Sequence, residues 1–152
     1  MFEEIERLTR ALCAEHGTSG CEGDVFKVAK KELGFCKEVC ENELGGVVGI
    51  FGDLSSKRRI LLDAHIDQIG FIVSYIDPDG FLKVGACGGP DMRIMLAQSV
   101  TVHGVQDIRG VVSTLPPHVS SDHTKVPEAG DIAIDIGMTR EEAEKSVPLG
   151  SR

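Results

Sequence analysis

The stretch RILLDAHIDQIGFIV, from Arg59 to Val73, places one histidine two residues before an aspartate inside an otherwise apolar run. Side chains at i and i+2 of a strand share a face, so His65 and Asp67 are expected to project together from the C-terminal end of an ILLDAHI strand. Open α/β sheets bind their ligands at that end. An imidazole placed there can bind a metal through one ring nitrogen while a carboxylate orients the ring through the other. The same spacing also suits a histidine that only hydrogen-bonds its neighbour, so the pair alone leaves both readings open.

The remaining reactive side chains form weaker patterns. His118, Asp122 and His123 in PPHVSSDH superficially resemble a second metal site, and Cys36 and Cys40 could share one strand face, yet no second ligand pair accompanies those two thiols. His16 and His103 have no carboxylate or cysteine pattern beside them and read as surface or core residues. There is no Gly-x-Ser-x-Gly elbow, and neither Cys13 nor Cys21 sits in a recognisable nucleophile signature. A phosphate loop needs Lys-Ser or Lys-Thr after its glycines; GTSGCEGD supplies acids instead.

The elements that must position His65 and Asp67 are legible from periodicity. Phe2, Ile5, Leu8 and Leu12 recur at helical spacing, ending near HGTSG. Val25, Phe26, Ala29 and Leu33 repeat the pattern with Gly34 as the expected stop. Short β-rich runs follow: GGVVGIF, RRILLDAHI, IGFIVSYI, GFLKVGA, QSVTVHG, RGVVST and GDIAIDIG, separated by turns such as DPDG and GGP. A last charged helix, MTREEAEKS, has Thr139 as its N-cap and Glu142 at the third helical position.

Two kinds of strand are present. Ile60, Leu61, Leu62, Ala64 and Ile66 form a nearly continuous apolar run, which predicts a strand covered on both faces. From Ile76 to Gly137 the runs are short and turn-linked, as in a small antiparallel barrel. Two helices and two or three strands before Asp67 are too few to bury both faces of an α/β sheet. The fold class expected is therefore α/β: an incomplete α/β domain over 1–70, a small antiparallel β-barrel over 71–147, and the start of a return to the first domain over 148–152.

Composition excludes several classes. With 152 residues the chain can form one ordinary domain or two small ones. Its 16 Lys and Arg against 24 Asp and Glu give a formal charge of -8, so no basic footprint invites nucleic acid or an anionic membrane. No run approaches the ~20 apolar residues of a membrane span, and MFEEIERLTR has no apolar signal core. Five cysteines, an odd count, fit reduced thiols, and a cytoplasmic location is expected.

Four segments in order carry a resemblance to a known family. LLDAHIDQIGFIV resembles the first metal-ligand segment of the glutamyl aminopeptidase and cellulase-M family, which includes the tetrahedral aminopeptidases. GGPDMRIMLAQSVTVHG is similar to its glycine pair and Leu-x-Gln-x-Val strand, GVVSTLPPH to its Gly-Val-Ile and Pro-Pro-His elements, and DIAIDIGMTREEAEKSV to its Asp-Ile-Gly strand and acidic helix. GTSGCEGDV and ENELGGVVG are supporting pieces.

The resemblance implies a zinc-peptidase α/β domain interrupted by a small barrel, often described as PDZ-like, through which a homo-oligomer assembles. It implies removal of N-terminal residues from a peptide substrate by two ions, commonly zinc or cobalt. One ion polarises the scissile carbonyl and the pair activates a water, with a carboxylate as general base. His65 would be a ligand of one ion, Asp67 the carboxylate that supports the site, and His118 a structural residue of the barrel. Gln68 stands where the family usually has Glu, and CGGPDMR lacks the aromatic often found after the glycine pair. The family's later residues, a bridging Asp, a Glu-Glu pair, another carboxylate and a final His, are not met before Arg152. The lone chain is accordingly expected to be inactive, and the other reading is a self-associating, non-catalytic barrel over Tyr75 to Gly137.

Overall fold

The computed structural model describes residues 1–114 and 126–152, so His118, Asp122 and His123 lie outside the described residues. The chain divides into two compact units, Met1–Gln68 and Ile69–Arg152.

In the first unit, helix α1 spans Phe2–Cys13 and α2 spans Gly23–Glu32. None of α1 is buried, whereas Val25, Phe26 and Ala29 of α2 are. What ties the two helices together in chemistry is Arg7, whose Nη2 lies 2.9 Å from Glu4 Oε1 and 2.6 Å from Glu32 Oε2. Gly34 does not stop α2 in a left-handed turn as expected. The helix instead tightens into a 3-10 turn over Leu33–Phe35, where Cys36 N–H donates to Leu33 O at 2.8 Å.

Strands β1 (Glu38–Glu41) and β2 (Val47–Ile50) then pair antiparallel. The Asn42 side-chain oxygen holds their turn by accepting from Leu44 N–H and Gly46 N–H at 3.1 and 2.8 Å. β1 was not expected as a strand because two of its four residues, EVCE, are glutamates and the strand is short.

The largest correction concerns RILLDAHI. Residues 58–67 form no strand, and Ile60, Leu61 and Leu62 are 89%, 84% and 92% exposed, so the expected strand covered on both faces is not formed. The physical reason is a missing neighbour: β1 and β2 pair only with each other, and no described strand pairs with 60–66. Only Gln68 is bridged, in parallel to Thr18.

The second unit is a five-stranded antiparallel sheet in the order β3-β4-β7-β6-β5, with β3 Gly70–Ile76, β4 Leu82–Cys87, β5 Ser99–His103, β6 Asp107–Thr114 and β7 Ile132–Asp135. The DPDG turn joins β3 to β4 as the sequence predicts, with Asp77 Oδ1 accepting from Asp79 N–H and Phe81 N–H. Gly80 has φ +89°, and a Cβ there would collide with the Met138 carbonyl oxygen. Alternate residues Ile108, Gly110 and Val112 of β6 face inward. They meet Phe71, Val84, Leu82, Ile132 and Ile134 in one core, to which α4 (Arg140–Ser146) adds Ala143.

Helix α4 begins as the sequence predicts. Thr139 N–H donates to Glu142 Oε2 at 2.9 Å, and the Thr139 hydroxyl accepts from Glu142 N–H. A short helix α3 (Met92–Met95), capped by Asp91, was not anticipated. After α4 the chain reaches both edges of the sheet. Gly150 N–H and Ser151 O bond Val73 of β3 at 2.8 and 2.9 Å, and Arg152 O accepts from His103 N–H of β5 at 2.8 Å. Three consecutive residues can meet both edge strands only if the sheet curls, so this unit is a half-barrel. Among the described residues no helix is long and apolar enough to cross a membrane.

Candidate functional site

His65 and Asp67 come together as their spacing predicts, although they sit on irregular chain rather than a strand. His65 Nδ1 lies 3.1 Å from Asp67 Oδ1. An ionised carboxylate only accepts, so the neutral imidazole carries its proton on Nδ1 and leaves Nε2 with its lone pair free. The His65 side chain is 87% exposed, so a ligand can reach that nitrogen.

A third group completes the arrangement. The Ser19 hydroxyl donates to the other oxygen of Asp67, Oδ2, across 48 residues of sequence. The loop carrying Ser19 is fastened to the same stretch: Gln68 N–H donates to Gly17 O at 2.7 Å and Gln68 Nε2 to Glu15 O at 3.2 Å, while Cys21 N–H closes the turn on Thr18 O at 2.8 Å. Thr18 is buried, and Gly17 approaches Val25 so closely that an added Cβ would stand 3.1 Å from Val25 Cγ1. The Ser19 hydroxyl first, and the His65 imidazole second, hold the Asp67 carboxyl below the usual range. Asp67 is therefore a carboxylate at neutral pH.

Ser19 was invisible to sequence reasoning, because nothing in GTSG states which distant carboxylate it meets. Gln68 was legible only as an unusual residue. Its amide donates to a backbone carbonyl, which the ionised Glu usual at that position could not do.

The other candidates fall apart or change character. Cys36 lies before β1 and Cys40 within it, so the strand face assigned to both holds only Cys40, and all five cysteines are free. His103 does have a carboxylate beside it: the β5–β6 hairpin brings its Nδ1 to 2.8 Å from Asp107 Oδ1. In the glycine-pair segment, the Arg93 guanidinium grips Asp91 and holds its carboxyl down at about 2.

Among the described residues no group of three or more His, Cys, Asp or Glu side chains could hold a metal ion. A protein-bound zinc needs three or more protein donors when it is catalytic. His65, oriented by Asp67 and open at Nε2, thus fits one arm of a metal site and not a whole one.

Comparison with known proteins gives these observations a frame. The family model for M42 glutamyl aminopeptidase matches residues 45–152. The glutamyl aminopeptidase of Lactococcus lactis subsp. cremoris (strain MG1363) is 32% identical over 147 residues, covering 89% of this chain and 39% of its own length. A TET aminopeptidase from a marine sediment Thaumarchaeota archaeon superposes with a TM-score of 0.87 at 34% identity, covering 97% of this chain and 43% of that one. The Pyrococcus horikoshii TET1 peptidase, described as assembling into a tetrahedron or a large octahedral shell, gives 0.79 at 28% identity over 99% of this chain and 45% of its own. The chain spans about two fifths of the length of the curated relatives it matches. With its mixed α/β fold and its ordered landmarks, the chain belongs to the M42 glutamyl aminopeptidase family, whose members are metal-dependent aminopeptidases.

Proposed function

We propose that this chain supplies the first ligand segment of a two-metal aminopeptidase that releases N-terminal residues from peptides. The observation that carries the proposal is the His65–Asp67 contact, which leaves Nε2 of an exposed ring free. His65 is the metal ligand, and Asp67 holds Nδ1–H so that the ring keeps one face toward the site; a carboxylate partner also makes the imidazole a stronger donor. Zinc or cobalt, two ions in the complete site, would supply carbonyl polarisation and an activated water. The described residues furnish one donor, so further ligands belong to the part of the relatives' length this chain does not span, and the chain alone is proposed to be inactive. Residues 1–70 are assigned to the metallopeptidase domain, 71–147 to an assembly barrel and 148–152 to the return. The five free thiols support a cytoplasmic setting.

The test is a chimera of residues 1–152 with the remaining length of the Lactococcus lactis glutamyl aminopeptidase. Metal-dependent release of N-terminal residues by the chimera, lost in His65→Ala, is the expected outcome. Equal activity in the His65→Ala chimera, or activity of the 152-residue chain by itself, removes the proposal.

A second reading, self-association through the barrel over Tyr75 to Gly137, is favoured by the assembly described for the Pyrococcus horikoshii relative and by exposed Ile94 and Val105. Light scattering of that segment across concentration checks it; a monomer throughout ends it.

A further inference from the structure

We propose that Ser19 is a positioning residue: by holding Asp67 it selects the tautomer and orientation of His65. The inference deepens the ligand reading given above and rests on it for its functional meaning, though not for its chemistry. The His65 ring has almost no packing around it, so only hydrogen bonding can orient it. Its hydrogen-bond partner is Asp67, whose carboxylate turns about a terminal torsion with a broad, roughly two-fold energy profile. A carboxylate gripped only by an exposed ring would swing with that ring. Ser19 occupies Oδ2 while His65 occupies Oδ1, so the carboxylate plane is fixed from the far side.

The Ser19 loop is itself anchored. Gln68, the next residue after Asp67, ties its backbone to Gly17 and its side chain to Glu15, so Ser19 and Asp67 are held at facing positions by one backbone bond within two residues of each and a second bond just beyond it. The Gln at 68 is part of this latch, since a carboxylate there would face the Glu15 carbonyl without a proton to share.

Long-range nitrogen NMR of the metal-free 152-residue chain reads the tautomer directly, at a pH about two units above the ordinary imidazole value. The wild type should show His65 protonated mainly on Nδ1. Ser19→Ala should shift the tautomer ratio toward the Nε2–H form roughly fivefold, the factor one net hydrogen bond carries. Ser19→Thr, which keeps the hydroxyl, should hold the ratio near that of the wild type. An unchanged ratio in Ser19→Ala, or a loss in Ser19→Thr equal to that in Ser19→Ala, overturns the inference. If Ser19→Ala disturbs the backbone spectrum of the first unit, Gln68→Glu reads the latch from its other side: a smaller shift in the same direction supports it and no shift overturns it. The chimera with the remaining length of the Lactococcus lactis relative is then assayed separately, with and without His65→Ala. A fixed tautomer in the 152-residue chain beside a chimera whose metal-dependent activity ignores His65→Ala upholds the role of Ser19 while removing the metal-ligand reading.

Discussion

The two units spend similar kinds of residue in opposite ways. In Ile69–Arg152, modest runs such as RGVVST turn every second side chain into a shared core, and Leu82 and Ile132 are wholly buried. In Met1–Gln68 the most apolar stretch of the chain, ILL, lies on the surface, and burial is confined to Val25, Phe26, Ala29 and the small Thr18 loop. The difference teaches that hydrophobicity proposes burial, and a neighbour with unused backbone groups grants it.

The contrast is sharpest in unfolding. Leu82→Ala is expected to cost about 2–5 kcal/mol in denaturant titration, because it empties a fully enclosed site. Leu61→Ala in the same chain should change stability by no more than about 0.5 kcal/mol. Equal costs would break the comparison. Gly80→Ala comes next: its positive φ and the Met138 oxygen in the way predict a loss of about 1–3 kcal/mol, read by the same titration. Thr139→Ala, which removes half of the box that starts α4, should cost about 1 kcal/mol in the second unit and leave the amide exchange of α2 unchanged.

The smallest expected effect belongs to the first unit and to acid. Arg7 holds the Glu4 and Glu32 carboxyls below their ordinary range, chiefly through its hydrogen bonds to them. A carboxylate with a depressed folded pKa contributes above its unfolded value and loses that contribution as pH falls through the folded one. The loss therefore begins near the usual glutamate value of about 4.3 and deepens below it. Amide exchange in α1 should rise across that window and match that of Arg7→Ala at its acid end; an α1 insensitive to both would show that something other than Arg7 fastens it.

Much of this was legible, for reasons that differ by residue. The β3 to β7 ladder announced itself through short alternating runs and turn residues, and Thr139 with Glu142 declared a helix start by spacing alone. His65 and Asp67 met because i and i+2 remain close even without a strand. RILLDAHI misled because an apolar run records the neighbours a sequence evolved with, and no described strand supplies them. Asp107 was overlooked beside His103 because a hairpin, not a local pattern, joins them. Ser19 was hidden by a sequence separation of 48 positions.

The three residues Gly150, Ser151 and Arg152 occupy backbone groups of Val73 on one edge strand and His103 on the other. An open sheet edge is a template for further strands, and natural sheets need some way to blunt it. Here three consecutive residues occupy groups on two edges at once. Breaking that one stretch would therefore release backbone groups on both edge strands together, so the two edges are coupled rather than independent.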